Sequence, residues 1–505
     1  MSLSIIIWLP AVAGALSLLA PRAVAGRLAV VGALATLVLA VILLVGFDNS
    51  APGLQNVTDQ NWISALGIHY KLGIDGLNVW LLTTTAMLFF AAILFASFRE
   101  WERPNLFFFF FAVAESAVLG AFCAQDLILF VVFFDLMLIP FYFITGMWGG
   151  EGRVQATTKM VIYTLIGSLL MLVAAVATGV IAAEGGQPLT FAISGLQQAG
   201  LSTGTQEWIF LGFAAAFLVK MPLFPLHGWM PDAYRTMPLP ALAVFSGILS
   251  KVAAYGFLRI VIPLFPDGAA HFQELLLLIA LASIIYGSVM AFTQTNLRLI
   301  FGFSSVAQLG FIVLGIFALS PRGAEGALLQ MVNHAVITVP VFLIIALLAA
   351  RSRGSEDIRE MGGLAFRAPL LAALFLIVSL ATLAMPGSSN FIGEFYILLG
   401  VFESKTVIAI IAFSGVAMAA VYALRAYIST MHNRVGAQAT PREIGLQDAL
   451  VLVPLVLVIL ALAIYPQAPL KAAQGPAARS VAKARLALDP LDQRASTQKI
   501  SQVTP

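Results

Sequence analysis

About fourteen stretches of roughly 20 mainly apolar residues follow one another along this chain, centred near residues 12, 37, 87, 114, 137, 170, 215, 251, 282, 308, 338, 380, 416 and 456. Each is long enough to cross the hydrocarbon core of a bilayer. In lipid every backbone amide must find its partner within the protein, so such stretches fold as helices. The expected fold is all-α, a polytopic membrane protein of about 14 transmembrane helices with short loops. At 60% hydrophobic and 10% charged residues, no stretch is left for a soluble domain. The opening SLSIIIWLPAVAGALSLLA lacks the basic region and small-x-small site of a signal peptide and reads as the first span. The single cysteine, Cys123, lies in an apolar helix, which excludes a disulfide framework or a cysteine-held iron–sulfur cluster in this chain and fits a buried thiol.

Lys and Arg in short loops favour the cytoplasmic side. Taking the N-terminus as outside, the cytoplasmic ends hold Arg22, Arg27, Arg99, Arg103, Arg153, Lys159, Arg235, Arg298 and the cluster from Arg351 to Arg367, with Arg425, Arg434 and Arg442 after them. The opposite loops hold only Lys71, Arg259, Arg322 and Lys405. Both termini are therefore expected to be extracytoplasmic, with the Ala/Arg/Gln-rich stretch after Pro466 a solvated tail. The net charge of +3 follows from this loop bias. No basic cluster is interleaved with stacking aromatics, so no nucleic-acid partner is implied.

Two spans are interrupted. Lys220-Met221-Pro222-Leu223-Phe224-Pro225 puts two prolines inside the seventh, and Ala384-Met385-Pro386-Gly387 does the same to the twelfth. Proline removes an amide donor and clashes with the preceding turn. Non-helical backbone at membrane depth survives only where protein or a wet cavity satisfies it, and paired broken helices in a transporter point to its conduction site. The shared Met-Pro step hints at an internal repeat of about five helices.

Four ionisable residues stand at membrane depth: Asp135 in the fifth span, Lys220 at the seventh's break, Lys251 in the eighth and Glu394 after the twelfth's break. Such groups are costly and by default mark an ion or proton path. Burial and a nearby opposite charge push a lysine's proton affinity in opposite directions, so a pair such as Asp135 and Lys220 can work as a proton switch. A static pair that fixes helix register is the plainer reading of either alone. Glu115 in the fourth span is a fifth buried acid and a possible lateral relay. His227 and His334 titrate near neutrality and serve either as relays or as hydrogen-bond satisfiers. Arg298 with Ser304, Ser305 and Gln308 can line a polar path or glue helices together. The histidine spacing gives no metal site, and the run Phe107 to Phe111 reads as lipid-facing filler.

The segment FPLHGWMPDAYRTMPLPALAVFSGILSKVAAYGFLR, with LIPFYFITGMWGG, GFSSVAQLGF, QMVNHAV, EDIREMGGLA and MPGSSNFIGEFYILLGVF, resembles the antiporter-like membrane subunits of respiratory complex I, over roughly residues 75 to 465. The resemblance implies two inverted five-helix repeats, with discontinuous helices near 220–228 and 384–393. It divides the chain into 1–100 (helices 1–3), 101–265 (first repeat, helices 4–8), 270–430 (second repeat, helices 9–13), 440–466 (last span) and 467–505 (tail). It also implies proton translocation through a hydrated charged axis, driven by quinone reduction in partner subunits of an NADH:quinone oxidoreductase. Asp135 and Lys220 would be the switching pair, Lys251 the central lysine and Glu394 the exit acid.

No cofactor is implied in this chain, and flavin and iron–sulfur clusters are expected in partners. The implied partners are other membrane subunits of complex I, chains L and N on either side, in a bacterial inner membrane. Three positions depart from the family: Asp135 stands where glutamate is usual, and Gln308 and Tyr234 where histidine is usual. Alternatives are a D-type subunit of a multisubunit Na⁺/H⁺ antiporter, the membrane arm of a ferredoxin-driven or hydrogen-evolving relative, or a scaffold that translocates nothing.

Overall fold

A computed structural model describes residues 2–184, 188–436, 438–440 and 442–488 of the 505. It is a helical bundle, and thirteen of the fourteen expected centres fall within helices, the one near 137 falling on the turn between Leu127–Leu136 and Leu138–Trp148. Eleven helices among the described residues are long and apolar enough to cross a membrane, and Leu3–Leu19, Pro369–Thr382 and Ser389–Phe402 are shorter apolar helices. Thr203–Lys220 is a further helix whose first turns are polar.

Burial sorts these helices into an inside and an outside. The most apolar windows of Leu239–Leu264 and Leu297–Phe317 are wholly buried and that of Pro321–Ala350 is 94% buried, against 33% for Arg22–Val45, Thr406–Met431 and Leu446–Ile464. The inner three carry Lys251, Gln308 and His334, so the polar residues sit at the centre of the bundle. Helix starts are set locally. Asp126 accepts from the amides of Ile128 and Leu129 at 3.0 and 3.1 Å, and Ser202, Asn296 and Ser320 cap their helices in the same way.

Both interruptions are present. The first runs from Met221 to Trp229 before Met230–Thr236, and the second from Leu383 to Ser388 before Ser389–Phe402. Each closes alike, with an amide reaching five residues back: Leu223 to the Leu218 carbonyl and Met385 to the Leu380 carbonyl, both at 3.2 Å. That turn satisfies a carbonyl left without its helical donor. A third interruption falls at Met137, between Leu127–Leu136 and Leu138–Trp148. Pro140 lacks the amide that the Leu136 carbonyl needs, so the helix kinks one turn after Asp135's own. The Leu239–Leu264 helix contains two π turns, Phe245–Leu249 and Phe257–Val261, on either side of the turn that carries Lys251. Such turns recur at functional sites.

The all-α expectation holds, with one addition: Gln55–Ile63 and Ile68–Ile74 pair as an antiparallel hairpin, tied to the bundle by the His69 amide on Asp126 at 3.1 Å. Two expectations need correction. Gln467–Leu488, within the expected solvated tail, is an amphipathic helix. Its small residues pack against Pro321–Ala350 and the 262–271 segment, because alanines allow close approach. The rest of that tail, 489–505, lies outside the described residues. Phe107, Phe108 and Phe111 are buried rather than lipid-facing. Phe107 stacks on Trp101 at 4.1 Å between centroids.

Candidate functional site

Lys220 ends its helix at the first break and is buried. Its Nζ donates to the Phe134 carbonyl at 3.2 Å and lies 4.4 Å above the Phe134 ring. Asp135, the expected partner, is within electrostatic reach but is not bonded to it. Asp135 is half-buried on the helix face that exposes Val132 and Ile139, and its Oδ1 has no hydrogen-bond partner in the protein. The two expected members of the pair are thus neighbours held apart, with the acid at the lateral edge of the bundle.

Lys251 is fully buried. Its Nζ donates to the Ser246 carbonyl at 3.1 Å and to Ser250 Oγ at 3.3 Å. The first acceptor belongs to the π turn, whose wider ring leaves a carbonyl free for a side chain. Ser246 Oγ in turn meets Ser305 Oγ at 3.4 Å. Ser304, Ser305, His334, Thr338, Thr382 and Asn390 then line a cavity with about 10 Å³ of room for water centres, which is about one water molecule. Beyond it Ser304 Oγ and Tyr422 Oη are 2.9 Å apart.

Glu394 closes the row. Its Oε1 accepts from Gln308 Nε2 at 2.8 Å, and Gln308 Oε1 accepts from Gln330 Nε2 at 2.7 Å. Two amides in series thereby fix the carboxylate's orientation. Around the second break, Asn333 Oδ1, Ser388 Oγ, Ser389 Oγ and both polar atoms of Asn390 are buried without a partner in the protein. Buried polar groups of this kind are satisfied by water in folded proteins. Between Lys251 and Glu394, then, lie hydroxyls, an imidazole and amides, with Tyr422 within electrostatic reach of Glu394.

The remaining expected residues divide. His334 lines the cavity, hydrogen-bonded to Thr338 at 3.2 Å, and belongs to the row. His227 sits in the first break with a ring nitrogen 3.1 Å from Tyr286 Oη, its Nδ1 unpartnered. Glu115 is fully buried and neither carboxylate oxygen is hydrogen-bonded in the protein. Arg298 is not on the path: it pairs with Glu356 at 2.7 Å and binds the Met237 carbonyl at 2.5 Å, tying a loop to the end of the first broken helix. Sequence reading missed Ser246, Gln330 and Tyr422. Gln330 precedes His334 by one helical turn in QMVNHAV, a same-face spacing that could have flagged it, whereas Tyr422 is a lone hydroxyl in an apolar helix.

A transmembrane bundle with two broken helices, two buried lysines and the buried acid Glu394 has the architecture of an ion-translocating subunit. A sequence model of the NADH:quinone oxidoreductase/Mrp antiporter transmembrane family matches residues 124–419, and the chain belongs to that family. It is 36% identical over 480 residues to NADH-quinone oxidoreductase subunit M of Rhodobacter capsulatus, covering 92% of this chain and 93% of that protein. To subunit M of Escherichia coli (strain K12) it is 36% identical over 426 residues, covering 82% and 83%. Among solved structures, a chain of respiratory complex I from Thermus thermophilus with bound NADH superposes with a TM-score of 0.87 at 34% identity, covering 96% of this chain and all of that one (100%). A chain of the Mrp complex from a Dietzia species superposes with a TM-score of 0.80 at 21% identity, covering 97% and 98%, a likeness of fold alone.

Proposed function

We propose that this chain is the M-type, proton-translocating membrane-arm subunit of a bacterial NADH-quinone oxidoreductase. The single observation that carries the reading is the buried row from Lys251 through Ser246, Ser305, the small cavity and Ser304 to Tyr422, which stands within electrostatic reach of Glu394. A row of this length has no structural purpose that apolar side chains would not serve better. Redox chemistry in partner subunits changes the field at the Asp135 edge. Lys220 then exchanges the Phe134 carbonyl for the Asp135 carboxylate, and as the pair opens its proton passes along water to Lys251 and on to Glu394. One proton enters and one leaves per cycle of the row. Moving one charge against 100 mV requires about 2.3 kcal/mol, which is the scale of making or breaking one partly buried ion pair.

The two broken halves are read as inverted repeats, both termini as extracytoplasmic, and chains L and N as the flanking partners in the inner membrane. Flavin and iron–sulfur clusters are assigned to other subunits. Lys220→Ala and Glu394→Ala in the assembled enzyme should each sharply reduce coupled turnover with assembly intact. Pumping at the wild-type rate in both refutes the reading.

A D-type subunit of a multisubunit Na⁺/H⁺ antiporter is the second reading, favoured by the shared fold. Co-purification of the tagged chain separates them: hydrophilic redox subunits support the first, small antiporter subunits the second.

A further inference from the structure

At the end of the bundle where the connections before Arg22 and before Pro104 meet, a cavity of about 500 Å³ opens between the two helix starts. Arg22, Arg27, Arg99 and Arg103 line it. Arg99 is committed to Asp448 at 2.8 Å. The side chains of the other three make no ion pair or hydrogen bond with the described residues, while the Arg103 carbonyl accepts from the amides of Leu106 and Phe107. Glu100 and Glu102 also line the cavity, exposed and unpaired with the arginines, so the guanidinium groups are free to turn toward a ligand. The helices Arg22–Val45 and Pro104–Cys123 both begin here with neither a side-chain cap nor an acid in the first turn, which adds positive helix ends to the rim.

Below the rim the surface turns apolar along one line. Val31, Leu34 and Val38 are 63%, 43% and 49% exposed, and with Arg27 they fall at spacings of four, three and four on one helix face. From Arg27 to Val38 the helix rises about 17 Å, close to the half-thickness of a bilayer core of about 30 Å. Trp101 also lines the cavity. Its Nε1 donates to the Ala96 carbonyl at 2.9 Å, and tryptophans favour the headgroup level.

We propose that this is a binding site for an anionic phospholipid. Its phosphate lies on Arg22, Arg27 and Arg103, and one acyl chain follows Val31, Leu34 and Val38. Inorganic phosphate shares the rim chemistry, but the apolar track below gives it nothing to bind. The inference holds whichever side of the membrane this end faces.

The assembled complex, delipidated and placed in phosphatidylcholine nanodiscs with a minority of spin-labelled phosphatidylglycerol, tests it. Wild type should immobilise labelled phosphatidylglycerol in preference to labelled phosphatidylcholine. Arg27→Gln should reduce that preference about five-fold, and the triple change Arg22→Gln, Arg27→Gln, Arg103→Gln should abolish it. Leu34→Trp should weaken retention with the rim charge unchanged. Quinone-reductase activity of each variant reports correct assembly. Wild-type preference in the triple variant overturns the proposal. So does displacement of the label by millimolar inorganic phosphate together with indifference to Leu34→Trp, which marks a free-anion site. Cross-linking of Arg103→Cys to a neighbouring subunit in the assembled complex also overturns it, because protein then fills the cavity.

Discussion

The ammonium group of Lys220 rests on the carbonyl of Phe134 at 3.2 Å, one residue short of the carboxylate of Asp135. A lysine in this position needs only a side-chain swing to change acceptors, and the carbonyl holds it while the carboxylate stands unbonded beside it. Asp135→Asn keeps the shape and removes the charged acceptor. It should lower proton uptake by vesicles containing the assembled enzyme roughly tenfold or more, within the range of a lost acid–base group, while quinone reduction uncoupled from pumping falls less. Equal proton-to-electron ratios in variant and wild type would falsify the switch.

The hydroxyl pair Ser304–Tyr422 leads to predictions about transfer rather than binding. Tyr422→Phe keeps the ring and removes the Oη that meets Ser304 at 2.9 Å. Pumping should slow about tenfold, and stability should fall by about 1–3 kcal/mol because the buried Ser304 hydroxyl is left without its partner. Gln308→His should pump as well as wild type, because imidazole can both orient Glu394 and carry a proton. Gln308→Leu should not. Rates of light-triggered or stopped-flow proton release distinguish the three.

Gly393 controls the amide chain to Glu394 by its lack of a side chain. A Cβ there would stand 2.3 Å from Gln330 Oε1 and 3.2 Å from its Cα, so Gly393→Ala must push the Gln330 amide off Gln308. Overpacking of this kind costs about 1–3 kcal/mol, and pumping should fall with it. Adding Gln330→Ala, which makes room, should restore thermal stability without restoring pumping. Recovery of both in the double variant would show that the amide pair only fills space.

Asp357, in the loop after Pro321–Ala350, gives a pH prediction. Hydrogen bonds from Arg359, then the backbone and Thr295, hold its carboxyl below the ordinary 3.8. A carboxyl lowered on folding stabilises above its unfolded value and loses that contribution as pH falls through the folded one. Arg359 is 72% exposed, so the effect is under about 1 kcal/mol. Amide exchange in the 351–368 loop, corrected for intrinsic rates, should quicken below about pH 4 in wild type and be flat in Asp357→Asn. A flat wild-type profile counts against the clasp.

Most of the helices and both broken segments were legible because their signals are local: apolar length, Met-Pro steps and buried lysines. What escaped was relational or weakly patterned. Gln55–Ile63 carries polar residues on both faces, so it shows no alternation. Gln467–Leu488 is rich in alanine and arginine and resembles a solvated tail until a partner surface is known. Asp135 and Lys220 stand near each other in the fold, but sequence position does not tell which way a side chain turns. Tyr422 comes within 2.9 Å of Ser304 from 118 positions away, a proximity that only packing creates.

The helix Gln467–Leu488 reaches across the bundle, resting on Pro321–Ala350 and on the 257–271 stretch, with Ser480 bonded to the Leu258 carbonyl. A helix packed on both segments adds buried contact that a wide rocking of one against the other would have to break. Motions as small as a rotamer change or a hopping water leave that contact whole, and a truncation before Gln467 would remove it entirely.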